Sequence, residues 1–181
     1  MSLAHAILGI LQTQPMTGYD LKTQCFDQSI AHFWPADQAQ IYRTLDKMTE
    51  QGWIESQLEF QENRPNRKVY SLTDSGQMEL RQWLMSFQAL PIYREPFLIQ
   101  LFFAKDFTNA AILHLIEEQL QAHRERLRQY EQVPLPPLDQ LKDNRELSLE
   151  RLTLELGLRS ERNALEWLQL AAETVRALPE A

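Results

Sequence analysis

The sequence predicts a mainly α-helical protein with one small β-hairpin, and three observations carry that prediction. Residues 37–51 place Ile41, Leu45 and Met48 at i, i+4 and i+7, one apolar face of a helix. After Gly52, Ile54, Ser56, Leu58 and Phe60 alternate with Trp53, Glu55, Gln57 and Glu59, the period of a half-buried strand; residues 69–72 return as a second strand. The C-terminal half carries leucines at heptad-like spacing over long stretches. A polar-faced helix followed by a hairpin with a basic loop outlines a winged helix.

The elements follow in order. The first helix covers 2–13, with Leu3, Ile7 and Ile10 at helical spacing and Pro15 as its stop. Thr17 is a natural N-cap with Asp20 at the third helical position, so a second helix runs to about residue 29 with Leu21, Cys25 and Phe26 inward. Phe33, Trp34 and Pro35 make an aromatic turn, with Trp34 expected as a core plug. The third helix opens on Asp37, with Gln40 completing a capping box, and closes on Gly52. Its outer face presents Ala39, Tyr42, Arg43, Asp46 and Lys47. Residues 61–68 form the wing loop. Thr73 caps a fourth helix with Leu80, Trp83, Leu84 and Phe87 as its stripe.

Leu90 and Pro91 mark a composition break, which divides the chain into 1–89 and 90–181. Pro96 opens a short helix with Phe97, Leu98, Leu101 and Phe102. From Thr108 a long helix aligns Ile112, Ile116, Leu120, His123, Leu127 and Tyr130, and 133–137 with three prolines stiffens the connection that ends it. A last helix is expected from about 138 to 178. One face carries Leu147, Leu154, Leu158, Leu165, Leu168, Ala172 and Val175, with gaps at Arg151 and Glu161; a second carries Leu149, Leu152, Leu156 and Leu170. Two apolar faces need two neighbours, because each exposed leucine forgoes roughly 1.5–3 kcal/mol of burial. One neighbour is the 108–132 helix and the other a second subunit, with the first face assigned to dimerisation. Gly157 inside this helix marks either a kink or a close helix contact.

Charge and chemistry narrow the function. The net charge is −7, and residues 1–90 hold seven basic residues (Lys22, Arg43, Lys47, Arg64, Arg67, Lys68, Arg81) against ten acids. Three of the seven cluster in the wing loop, so the local distribution permits a nucleic-acid partner although the sum does not demand one. Helices two and three with a short turn make a helix-turn-helix, whose second helix fits a major groove about 12 Å wide. His5, His32, His114 and His123 are scattered without metal-ligand or triad spacing, and five glycines form no phosphate loop. An enzyme is therefore not expected, nor a cofactor or metal. The single cysteine, Cys25, and the lack of a signal peptide or spanning segment fit a cytoplasmic protein with no membrane partner.

The segment Pro15-Met16-Thr17-Gly18-Tyr19-Asp20-Leu21 resembles the Pro-Met-x-Gly-Tyr-Glu-Leu stretch of PadR-family transcriptional regulators. Trp34, Ile41-Tyr42, Leu45, Glu50-Gln51-Gly52-Trp53-Ile54 and the run Arg64-Pro65-x-Arg67-Lys68-x-Tyr70-x-Leu72-Thr73-x-x-Gly76 resemble further family motifs in the same order. Residues 101–107 and Glu166-Trp167-Leu168 are similar to the C-terminal region of longer members, the virulence-activator-alpha type. The resemblance implies a dimeric winged-helix regulator of transcription, most simply a repressor, with an antiparallel helical dimerisation domain and an operator in double-stranded DNA. The expected DNA contacts are Thr17, Tyr19, Gln38, Gln40, Tyr42, Arg43 and Lys47 from the helices and Arg64, Asn66, Arg67 and Lys68 from the wing. The resemblance also implies a small apolar or phenolic effector, with Trp34, Trp83, Tyr93 and Phe97 as candidate lining residues or, alternatively, plain packing. Arg43 stands where the family often has proline, and Ala36-Asp37-Gln38-Ala39 replaces a Ser/Gly-rich start, so operator specificity is expected to be this chain's own. The rival reading is a winged helix used for protein–protein contact.

Overall fold

The computed structural model describes residues 2–60 and 66–180. The chain forms two compact units, Met1–Leu90 and Pro91–Ala181. In the first, helix α1 (Ser2–Leu11) buries Ala4, Ile7, Leu8 and Leu11, a stripe rotated from the expected one, while Leu3 and Ile10 are only partly covered. Strand β1 (Met16–Thr17) was not expected. It pairs antiparallel with β3, and the sheet order is β1-β3-β2.

Helix α2 begins as one α-turn, Gly18–Asp20, and continues in π winding over Leu21–Ser29. Thr17 caps it by accepting the Asp20 N–H at 3.0 Å. The π turn hydrogen-bonds i to i+5, which puts Leu21 and Phe26 on one face, and both are fully buried. Cys25 is half-buried. Helix α3 (Gln38–Glu50) starts at the expected capping box: the Gln40 N–H donates to Asp37 Oδ1 at 2.7 Å, and the Asp37 N–H donates to Gln40 Oε1 at 3.1 Å. It ends in a Schellman motif, with the Gly52 N–H donating to Thr49 O and the Trp53 N–H to Met48 O, each at 3.0 Å. Gly52 takes a φ of 70°, a left-handed conformation that favours glycine. Ile41, Leu45 and Met48 are fully buried.

Strands β2 (Ile54–Glu59) and β3 (Arg67–Leu72) pair from Ile54↔Leu72 to Glu59↔Arg67. Only the root of this hairpin meets the core. Ile54 is buried, but Leu58 and Phe60, expected on the inner face, are 57% and 83% exposed because the hairpin runs past the helices that cover its root. Arg67 and Lys68 belong to β3 rather than to a loop. The rest of the expected loop, residues 61–65 with Arg64, lies outside the described residues.

Helix α4 (Asp74–Leu84) is capped by Thr73, whose hydroxyl accepts the Gly76 N–H at 3.1 Å and donates to Gly52 O at 2.7 Å and Trp53 O at 2.9 Å. A Cβ at Gly76 would stand 2.0 Å from Trp53 O, so only glycine lets the helix start against the residue that leads into β2. Leu80 is buried and Trp83 half-buried, but Leu84 and Phe87 are exposed, since the helix ends at Leu84. Trp83 stacks at 4.4 Å on His5, a buried histidine whose Nε2 lies 3.1 Å from Glu79 Oε1. Trp34 is not the expected plug. It stays 37% exposed, because α1 and the sheet close the core without it.

In the second unit, α5 (Pro96–Phe102) is capped by Glu95 and buries Phe97. Helix α6 (Asn109–Glu131), capped by Thr108, buries Ile112, Ile116 and Leu120 as its spacing predicts. Helix α7 (Arg145–Ala177) starts seven residues later than expected, because Asn144 captures the Leu147 N–H at 3.0 Å; residues 138–140 form a separate 3₁₀ turn, Leu138–Gln140. α6 and α7 run antiparallel, with Asn109 against Leu178, His123 against Glu161 and Tyr130 against Gly157. The assignment of Leu147, Leu154, Leu158, Leu165, Leu168, Ala172 and Val175 to dimerisation is corrected here. Leu154, Leu158, Leu168, Ala172 and Val175 are buried within the single chain, and Leu147 and Leu165 are partly buried. Leu168, Ala172 and Val175 share one core with Ile112, Ile116 and Leu120 of α6. The second face, Leu149, Leu152, Leu156 and Leu170, is more than half exposed. Gly157 marks a close contact: a Cβ there would meet the Tyr130 ring at 3.1 Å.

Gly76→Ala should destabilise the first unit by about 3 kcal/mol, because a backbone carbonyl, that of Trp53, cannot yield as a side chain can. Urea unfolding followed by circular dichroism checks this, and Asp74→Ala should change stability far less.

Candidate nucleic-acid interface

Because α3 turns Ile41, Leu45 and Met48 inward, the opposite side must carry Ala39, Arg43, Asp46, Lys47 and Glu50, and all five are exposed, as is Gln38 in the first turn. Tyr42 sits at the edge of this face, 38% exposed. Its ring lies over Gly18, where a Cβ would approach within 2.7 Å, so glycine at the start of α2 permits the close crossing of α2 and α3. Among the described residues the side chains of Lys47 and Gln38 have no hydrogen-bond partner, and both are exposed. The Arg43 Nε donates to Ala39 O at 3.2 Å, which lays the guanidinium along its own helix. Gln40 is exposed, but its amide oxygen is committed to the capping box.

Among the expected contacts on α2, Tyr19 is 61% exposed whereas Thr17 is only 7% exposed. The Thr17 hydroxyl donates to Asp20 Oδ2 at 2.7 Å and accepts the Asp20 N–H, so its capacity is spent inside the protein. Thr17 is a cap and not a surface contact. On the wing, Asn66, Arg67 and Lys68 are exposed. The Lys68 ammonium stands 5.1 Å from the Tyr70 ring centre, a cation–π arrangement. Arg67 Nη2 donates to Asp20 Oδ2 at 2.5 Å and so ties the wing to α2. Asp20 was read from the sequence only as a first-turn acid; its partner lies 47 residues away, and no local pattern announces it.

An open cavity of about 400 Å³ borders α3, lined by Leu3, Trp34, Pro35, Gln40, Arg43, Thr44 and Lys47. Of the other candidate effector residues, Trp83 is engaged with His5, and Phe97 is 6% exposed with its ring edge-on to Trp167. Those two are packing residues, while Tyr93 is 79% exposed. Burial, with the negative Asp20 nearby, raises the Cys25 thiol above its usual range, and burial lowers His32. Among the described residues no three His, Cys, Asp or Glu side chains are placed to hold a metal ion. No helix among them is long and apolar enough to cross a membrane.

The family model for PadR-like transcriptional regulators matches residues 7–82, and the virulence activator alpha C-terminal model matches residues 93–176. The negative transcriptional regulator PadR of Bacillus subtilis is 34% identical over 126 residues, 69% of either chain. The crystal structure of Bacillus subtilis PadR in complex with operator DNA superposes with a TM-score of 0.83 at 28% identity, covering 97% of this chain and 99% of that one. The same protein in complex with p-coumaric acid gives 0.79 over the same shares, also at 28% identity. The Vibrio cholerae virulence activator AphA gives 0.75 at 30% identity, covering 98% and 99%.

At neutral pH the folded protein should hold Cys25 as the neutral thiol. Its reaction with a disulfide reagent should be several-fold slower than in urea and should accelerate as pH rises through the elevated thiol pKa. Stopped-flow absorbance across pH 7 to 10 reads this directly.

Proposed function

The chain belongs to the PadR-like family of transcriptional regulators, and from that premise we propose that it acts as a homodimeric repressor that occupies an operator and sterically blocks polymerase. The family is one of regulators and not of enzymes. The observation that carries the reading is the first unit's layout. An outward polar α3 lies beside a hairpin bearing Asn66, Arg67 and Lys68, within a chain that superposes almost throughout on a PadR bound to operator DNA.

In this reading α3 enters the major groove, with Gln38, Tyr42, Arg43 and Lys47 reaching bases and phosphates. Tyr19 meets the backbone beside it, and Asn66, Arg67, Lys68 and Arg64 meet the flanking strand. Two copies are supported by the second face of α7, because four leucines left in water would each forgo roughly 1.5–3 kcal/mol. A two-fold pair reads two half-sites about one helical turn apart. The p-coumaric acid complex of Bacillus subtilis PadR supports a small phenolic or apolar effector. Trp34 and Tyr93 are the expected lining residues left with exposed rings. The acidic net charge favours the rival, protein-binding use of the fold, and DNA titration decides between them.

Electrophoretic mobility shift against the DNA upstream of the protein's own gene should give a sequence-dependent shift. That shift should weaken between about 50 and 200 mM salt. No shift would leave the protein-contact reading standing. Paired substitution of Leu152→Glu and Leu156→Glu should convert a dimer into a folded monomer by sedimentation velocity, with helicity retained; a wild-type monomer at micromolar concentration would contradict the dimer.

A further inference from the structure

The wing's arginine is not a free surface cation. Antiparallel pairing sets Met16 against Tyr70 and Thr17 against Val69, so the chain after Thr17 turns back along β3 toward Arg67. The first turn of α2 thereby brings Asp20 level with that side chain. The Asp20 carboxylate is held on three sides. Its Oδ2 accepts from the Thr17 hydroxyl at 2.7 Å and from Arg67 Nη2 at 2.5 Å, and its Oδ1 accepts from Gln24 Nε2 at 3.3 Å. The Asp20 side chain is 18% exposed and that of Arg67 is 43% exposed. A guanidinium carries five donors in a rigid planar fork. Among the described residues Arg67 spends donors only on Asp20, and the remainder stay available.

We propose that Asp20 is a positioning residue for DNA binding: it anchors the inner edge of the Arg67 guanidinium so that the outer edge is presented to an operator phosphate. This rests on the reading of the wing as part of the DNA-binding face. Two effects of the carboxylate oppose each other. An anion near the phosphates repels them, whereas an anion that fixes the fork lowers the conformational entropy lost when Arg67 is ordered at the contact. The geometry favours the second, because the Asp20 charge is already matched by Arg67 and the carboxylate is largely enclosed by Thr17 and Gln24. With the pair neutral overall, Arg67 acts through direction and not through bulk charge. That fits a chain whose first half is not basic.

The test is a double-mutant cycle on operator affinity, with melting curves to establish folding. Asp20→Asn should weaken binding about fivefold and Arg67→Gln about tenfold, and the double variant should bind no more weakly than Arg67→Gln alone. Arg67→Gln should also lower the salt slope by about 0.9 per bound protomer. Asp20→Glu should bind like the wild type. Arg67→Lys, which leaves Asp20 intact and keeps the charge, should lose most of what Arg67→Gln loses; it serves the test even if Asp20→Asn fails to fold. Tighter binding by Asp20→Asn, an Asp20→Asn loss that persists in full without Arg67, or wild-type affinity in Arg67→Lys would each overturn the clamp while leaving DNA binding standing. Failure of the wild type to bind operator DNA would overturn both.

Discussion

The rotation of α3 about its own axis governs the first unit, and it is pinned from both ends. Asp37 and Gln40 exchange hydrogen bonds at the start, and Gly52 and Trp53 return theirs to Thr49 and Met48 at the finish. Between the caps, Ile41, Leu45 and Met48 are fully buried in the core, so the outward face has no freedom to choose its residues. A turn of a few tens of degrees would carry Thr44 or Thr49 toward the core and move Tyr42 off Gly18. The same cap delivers the chain into β2 with Ile54 buried and Trp53 placed where Gly76 can touch its carbonyl. Helix, hairpin and α4 are thus coupled through a few backbone groups.

The second unit solves a different problem. α6 and α7 bury their apolar faces on each other, and the seam includes a charged cluster around Glu161. His123 Nδ1 lies 2.5 Å from Glu161 Oε2, Arg126 stands 3.7 Å from Glu161 Oε1, and Glu161 is only 7% exposed. A largely buried carboxylate is costly unless matched, and its partners lie on α6, so this pairing favours one register of the two helices over slipped alternatives. The Gly157–Tyr130 contact, one helical turn along from Glu161, restricts the register further. With one α7 face consumed by α6, the leucines of its other face stand in solvent, and that two-sidedness is what a second copy would relieve.

Charge in this protein is arranged sparingly. Several cations that a composition count treats as free are engaged: Arg43 with a helix carbonyl, Lys68 over Tyr70, Arg67 with Asp20. Cations held in this way contribute less to long-range attraction and more to directed hydrogen bonds.

Much was legible in the sequence where the signal is local. Thr17, Asp37 and Thr73 were readable as caps, and Gly52 as a helix end, because capping involves atoms three or four residues apart and needs particular side chains. The inward residues of α3 and α6 followed from period alone. What the sequence left open depends on partners distant in the chain. Two leucine faces on α7 look equivalent along the sequence, and only packing against α6, with Glu161 meeting His123, selects the buried one. Leu58 and Phe60 alternate as inner residues should, yet the helices do not reach that far along the hairpin. The pairing of β1 with β3, and with it the bond from Asp20 to Arg67, exists only after the chain has closed on itself. Hydrogen bonding and periodicity along a segment were determined by the sequence; which faces and which charges meet was decided by the tertiary structure, because burial is shared between segments that no local pattern connects.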